Sequence, residues 1–175
     1  TSTGTPQIAE RIMGALQSRA HDERPNAGPE PSPPAGRDIF IVYRRDARGY
    51  ASRLRHLLDR ELGIGRTFMD ETSIAPGADY REALDSGIRQ ASVLVVLITP
   101  DTLAARGADS RRLIASSDDL VSTEIARGLQ LGIPIMPVLV GGAALPRADG
   151  LRGDIVGLAD ANALILRDAE WDTDA

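Results

Sequence analysis

"DDLVSTEIARGLQLGIPIMPVLV", residues 118–140, is an apolar pattern at helical spacing that runs into a short apolar run after Gly132 and Pro134. A helix followed by a buried strand has this form. At roughly 100° per residue, with Val121 at the centre of the apolar face, Ile125 falls near +40° and Leu129 near +80°. On the other flank Leu131 falls at roughly −80° and Leu120 at roughly −100°. Glu124, at roughly −60°, therefore lies inside the apolar arc. A carboxylate buried without partners costs several kcal/mol or shifts its pKa upward, so a side chain kept there points to a use. The same position also suits an arc-edge Glu that reaches solvent or pairs with Arg127 or Arg89, and periodicity alone does not choose between the two readings.

On the N-terminal side, "DIFIVY" (38–43) is a β-branched apolar run, and "DARGYASRLRHLLDREL" (46–62) repeats Tyr50, Leu54, Leu57, Leu58 and Leu62 at helical spacing before Gly63. "RTFMD" (66–70) is a second strand. "ETSIAPG" (71–77) is a loop, and "DYREALDSGIRQA" (79–91) a further helix. "SVLVVLI" (92–98) is apolar throughout, as a strand covered on both faces should be. Beyond the opening stretch, "NALILRD" (162–168) adds one more strand. Strands alternating with helices predict an α/β fold with a parallel sheet and helices on both faces, joined by right-handed crossovers. Ligands in such sheets bind outside the carboxyl ends of the strands. The residues to inspect are thus Tyr43, Arg44 and Arg45 after the first strand, Asp70 after the second, Thr99 after the third and Gly141 after the fourth.

Upstream, residues 5–20 read as a helix with Ile8, Ile12 and Leu16 every four positions, too narrow a stripe to form a core alone. Residues 21–36 carry Pro25, Pro29, Pro31, Pro33 and Pro34 and read as a linker of polyproline character. The expected organisation is a helical segment at 1–20, a linker at 21–36 and one domain from 37 to 175. The first segment is read as the tail of another domain or an oligomerisation element.

Composition narrows the functions. The chain has 175 residues, 42% hydrophobic and 26% charged, enough for one domain with a core built on Leu, Ile, Val and Ala. A net charge of −5 argues against non-specific binding to nucleic acid. There is no cysteine, which removes disulfides, thiol catalysis and the best zinc ligand. With only His21 and His56, neither a His-rich metal site nor a Ser-His-Asp triad is expected. No run is long and apolar enough to span a membrane, and no signal pattern opens the chain, so a cytoplasmic location is expected.

Other candidates divide between function and packing. Arg44 and Arg45 could hold a pyrophosphate or carboxylate bidentately, or cap a strand and pair with Asp46. Phe68 could wall a pocket or pack in the core. Ile74, in the otherwise polar loop "DETSIAPG" (70–77), suggests a contact surface or a side chain tucked under its loop. "AARGADSRRLIASSDD" (104–119) has Arg106, Arg111 and Arg112 without interleaved aromatics and reads as a solvated loop. "GIGR" (63–66) has neither the dinucleotide fingerprint nor the phosphate-loop Lys.

Taken in order, "DIFIVYRRD", "FMDETSIAPGADYREAL", "ASVLVVLITPDTL" and "VSTEIARGLQLGIPIMPVLV" resemble the Toll/interleukin-1 receptor (TIR) domain, in particular its bacterial, NAD-cleaving branch. The resemblance spans about residues 37–167. It implies a flavodoxin-like, five-stranded parallel sheet. It also implies that Glu124 matches the glutamate essential in NAD-cleaving members, and that Arg44 and Arg45 lie near the bound nucleotide with Phe68 at the pocket wall. Tyr43, Asp70, Thr99 and Leu120 complete the expected substrate-binding set. Ile74, Pro76 and Gly77 match the loop through which TIR domains contact one another and complete a neighbour's site. Active members often carry Trp four residues before the glutamate. Here Leu120 keeps an apolar wall without the stacking surface. The implied substrate is NAD+, with no further cofactor and no metal, and the implied partners are other TIR domains in a homo-oligomer, with neither nucleic acid nor membrane. The resemblance leaves two functions open, an NAD+ glycohydrolase or cyclase and a catalytically silent interaction module. A transferase or nucleotide-binding domain sharing only the architecture is a third.

Overall fold

In a computed structural model, which describes residues 9–15, 38–69, 80–108 and 112–167, the apolar runs form five strands. They are β1 (Ile39–Val42), β2 (Thr67–Met69), β3 (Val93–Ile98), β4 (Ile135–Leu139) and β5 (Leu164–Ile165). All pair in parallel, in the order β2-β1-β3-β4-β5. This is the flavodoxin-like arrangement that the alternating pattern and the family resemblance predict. The uninterrupted apolar run of β3 takes the central position, and all of its residues are buried because helices cover both faces.

The helices are α1 (residues 9–15), α2 (Arg48–Leu62), α3 (Tyr80–Gln90), α4 (Pro100–Ala104) and α5 (Leu120–Gln130). Side chains alternate across a strand, and two cores result. On one face Ile39 and Ile41 of β1, with Val95 and Val138, meet Ala51, Leu54 and Leu58 of α2. On the other, Phe40 and Val42, with Val96 and Ile98, meet Leu84 and Ile88 of α3 and Val121 and Ile125 of α5. α1 sets a fully buried Ile12 into the α2-side core, so this segment packs against the domain. The proposed linker, 21–36, lies outside the described residues, as do 70–79 with their loop.

Local chemistry fixes several boundaries. The expected helix at 46–62 opens instead with a 3-10 turn, Arg45–Ala47, and α2 ends at Gly63, whose φ of 101° suits a residue without Cβ. Residues alternate sides along β4, so Pro137 faces β5, whose pairing begins only at Val138. The missing N–H therefore costs no ladder hydrogen bond. No helix among the described residues is long and apolar enough to cross a membrane.

Candidate functional site

α3 and α5 lie side by side over one face of the sheet, and each approaches it at a glycine. A Cβ on Gly87 of α3 would sit 3.0 Å from Phe40 and 3.1 Å from Phe68, and one on Gly128 of α5 would sit 2.5 Å from Leu94 Cδ2. Both helices thus rest closer to the strands than an alanine would allow. The seam between them opens into a cleft of about 500 Å³, lined by Leu84, Asp85 and Ile88 on one wall and Leu120, Thr123, Glu124 and Arg127 on the other, with Ser117 and Asp118 at its end. Because α5 begins just after this last turn, the cleft reaches toward the carboxyl end of the sheet, where open α/β folds take their ligands.

Glu124 is only 6% exposed and still lines this cleft. The helical arithmetic placed it within the apolar face, and its neighbours Val121 and Ile125 are indeed core residues. Leu120, one turn earlier, is 48% exposed at the rim. Arg89 and Arg127 both reach Asp85: Arg89 Nε donates to Oδ2 and Arg127 Nε to Oδ1, each at 2.6 Å. The hydrogen bond from Arg89, then that from Arg127, holds the Asp85 carboxyl below the ordinary carboxylate range. Asp85 therefore ties α3 to α5 across the cleft.

The start of α5 is anchored more firmly still. Asp119 is its N-cap and accepts from the Ser122 backbone N–H at 3.0 Å and from Ser122 Oγ at 2.8 Å. Its carboxylate also accepts from both terminal guanidinium nitrogens of Arg44, Nη1 and Nη2, at 2.9 and 3.0 Å. This is a fork-to-fork pair in a buried setting, and it joins the carboxyl end of β1 to the helix that carries Glu124. Ser122 Oγ lies 3.0 Å from the Ile114 carbonyl as well, tying in the preceding turn.

Of the residues singled out from sequence, Glu124 and Leu120 come together in the cleft. Arg44 stands behind it, engaged with Asp119, and Arg45 is exposed at the start of the 3-10 turn. Tyr43 is buried in the α2-side core, across the sheet from the cleft. Phe68 is buried beneath α3, stacked on Phe40 with ring centroids 4.9 Å apart. Thr99 caps α4, where its Oγ1 accepts from the Thr102 N–H at 3.0 Å. Asp70, Ile74, Pro76 and Gly77 lie outside the described residues. Among the described residues no three His, Asp or Glu side chains gather as metal ligands would. Sequence reading missed Asp119 and Asp85. An Asp directly before a helical pattern is an N-cap signal, and Asp85 with Arg89 is an i,i+4 pair, but their partners on other elements left no trace in the local pattern.

The TIR-domain family model matches residues 39–174. No curated protein matches the chain. Among solved structures, the TIR domains of the activated Roq1 resistosome, which directly recognizes the pathogen effector XopQ, are similar at 18% identity, covering 69% of this chain and 67% of theirs, with a TM-score of 0.48. The TIR domain of the Toll-related receptor TRR-2 of Hydra magnipapillata is similar at 18% identity, covering 62% of this chain and 74% of its own, with a TM-score of 0.45. With the family model covering most of its length, the chain belongs to the TIR-domain family.

Proposed function

We propose that this TIR domain is an NAD+ glycohydrolase in which Glu124 acts at the ribose. One observation carries the reading: a carboxylate 6% exposed, embedded in an apolar helix face, is turned to a cleft of about 500 Å³. A carboxylate so placed is suited to an oxocarbenium-like transition state. The bond between ribose C1′ and the nicotinamide nitrogen breaks with its electron pair leaving on nicotinamide, which neutralises the pyridinium and removes the need for a strong acid. The carboxylate stabilises the positive charge left on the ribose, as in glycoside hydrolysis. Water then bonds to C1′ and loses a proton, giving ADP-ribose; attack by a nitrogen of the substrate's own adenine would give the cyclised product instead.

In this reading Arg45, exposed beyond β1, meets the diphosphate, and Arg44 acts indirectly by holding Asp119 and the start of α5. Leu120 forms the apolar wall, and Asp70 is assigned to the substrate on the family resemblance alone. Tyr43, Phe68 and Thr99 act through the packing beneath. Self-association through Ile74, Pro76 and Gly77 brings a second copy to the cleft. A second reading, a catalytically silent module acting through TIR–TIR contacts, is favoured by the half-exposed Leu120, an apolar side chain at the rim. Incubating NAD+ with the domain, free in solution and clustered on a scaffold, and separating the products by chromatography distinguishes the two. Nicotinamide release supports the enzyme, and intact NAD+ under both conditions supports the module.

A further inference from the structure

We propose that the half of the α2-side face over β4 and β5 is a helix-binding seat, held in this chain by α1 and open to exchange with the α1 of a second copy. The strand order creates the seat. From β1 the chain steps to β2 in one direction, and every later step, β2 to β3, β3 to β4 and β4 to β5, runs in the other. Right-handed crossovers place opposite steps on opposite faces. Thus α3, α5 and the 3-10 segment Gly153–Leu158, with its buried Ile155 and Leu158, lie on one side, and α2 is the single crossover helix on the other. A helix is about 10 Å across and neighbouring strands lie about 4.8 Å apart, so α2 covers about two strands. Yet on this face Val138 of β4 and Val140 just beyond it are 0% exposed, and Leu164 of β5 is buried too. Besides α2 and the 3-10 turn before it, α1 is the only helix that contributes to this core among the described residues.

The hold of α1 on this seat is slight. Ala9, Ile12 and Ala15 form its inward stripe, while Glu10, Arg11 and Met13 are exposed. Ile12 is the one large side chain that α1 buries among the described residues. A helix this short does not persist alone in water, so α1 keeps its shape by being seated. Residues 16–37 join it to the domain, and these 22 residues reach up to about 75 Å when extended. That is several times the roughly 20 Å width of a five-stranded sheet, so the tether lets α1 meet a neighbour's seat as well as its own. A second copy's α1 carries the same stripe and fits the same seat, and a mutual exchange leaves both faces covered. The seat lies across the sheet from the Glu124 cleft, so it is independent of the glycohydrolase reading.

The probe is a fluorescently labelled peptide of residues 1–20, followed by anisotropy against the full chain and against the folded chain cut at a protease site placed within 21–36. A tether holds its own segment at about millimolar effective concentration, so the uncut chain resists the peptide. After the cut and dilution, the peptide should bind at least about tenfold more tightly. Ile12→Asp in the full chain unseats α1 without a cut and should open the seat in the same way, whereas the same substitution in the peptide should abolish binding. In sedimentation of the uncut wild type, excess peptide should reduce the dimer and the Ile12→Asp peptide should not. No binding to either opened chain, equal binding to opened and uncut chains, or a wild type whose sedimentation the peptide leaves unchanged overturns the proposal.

Discussion

Replacing Asp119 should damage this domain more than its place on a loop suggests. Its side chain is 5% exposed and that of Arg44 14%, so Asp119→Asn leaves a guanidinium charge largely buried and uncompensated. Breaking such a pair from one side costs about 3–5 kcal/mol, and the residual exposure of Arg44 places the expected loss at the lower end, about 3 kcal/mol. Asparagine still caps a helix, whereas Asp119→Ala also leaves the Ser122 N–H without its acceptor, adding about 1 kcal/mol. Urea unfolding at neutral pH measures both. The double variant Arg44→Met/Asp119→Asn removes the orphaned charge and should be more stable than Asp119→Asn alone, since an apolar replacement of a buried pair is often neutral. If Asp119→Asn lies within about 0.5 kcal/mol of the wild type, the range of an ordinary surface change, the pair is not an anchor. Simple additivity in the double variant would mean the same.

Gly128→Ala gains about 1 kcal/mol of helix propensity but places a methyl group 2.5 Å from Leu94 Cδ2. Overpacking of about 1–3 kcal/mol should prevail and lower the melting temperature, and a higher one would mean that Leu94 swings clear. Asp85 has a lowered pKa in the folded state, so its bridges contribute fully above its unfolded value of 3.8 and lose that contribution as pH falls through the lower folded value. With its side chain 39% exposed, the effect is small. The stability difference between wild type and Asp85→Asn should be constant from pH 5 to 8 and shrink below pH 3.8, and a difference that grows in acid would contradict the assignment. Substitutions at Ile74 or Pro76 should reduce self-association, read by light scattering, and NAD+ loss together. Independent responses would separate the loop from the site.

Much of the fold was legible because each strand and helix announces itself locally. The six apolar residues of β3 could belong only to a strand covered twice, and the spacing of Leu54 and Leu58 fixed the buried side of α2. The same arithmetic put Glu124 within the apolar arc, and the structure, with the residue 6% exposed, decides between the two readings it left open. What stayed hidden depends on tertiary partners. Arg44 read either as a ligand-facing cation or as a strand cap paired with Asp46, and nothing near it in sequence reveals that Asp119, on another element, takes both of its terminal guanidinium nitrogens. Tyr43 stood at a strand end, yet side-chain alternation turns it to the α2 side.

The comparison that bears most directly on Glu124 is NAD+ consumption by wild type and Glu124→Gln at equal, high protein concentration, with unfolding curves recorded for both. The amide keeps the size of the side chain and removes its charge. Wild type should release nicotinamide, and the variant should be slower by at least about 10²–10³-fold, the scale on which removing one electrostatic contact to a transition state is felt, while still unfolding cooperatively. A variant that cleaves NAD+ at the wild-type rate would contradict the role given to Glu124.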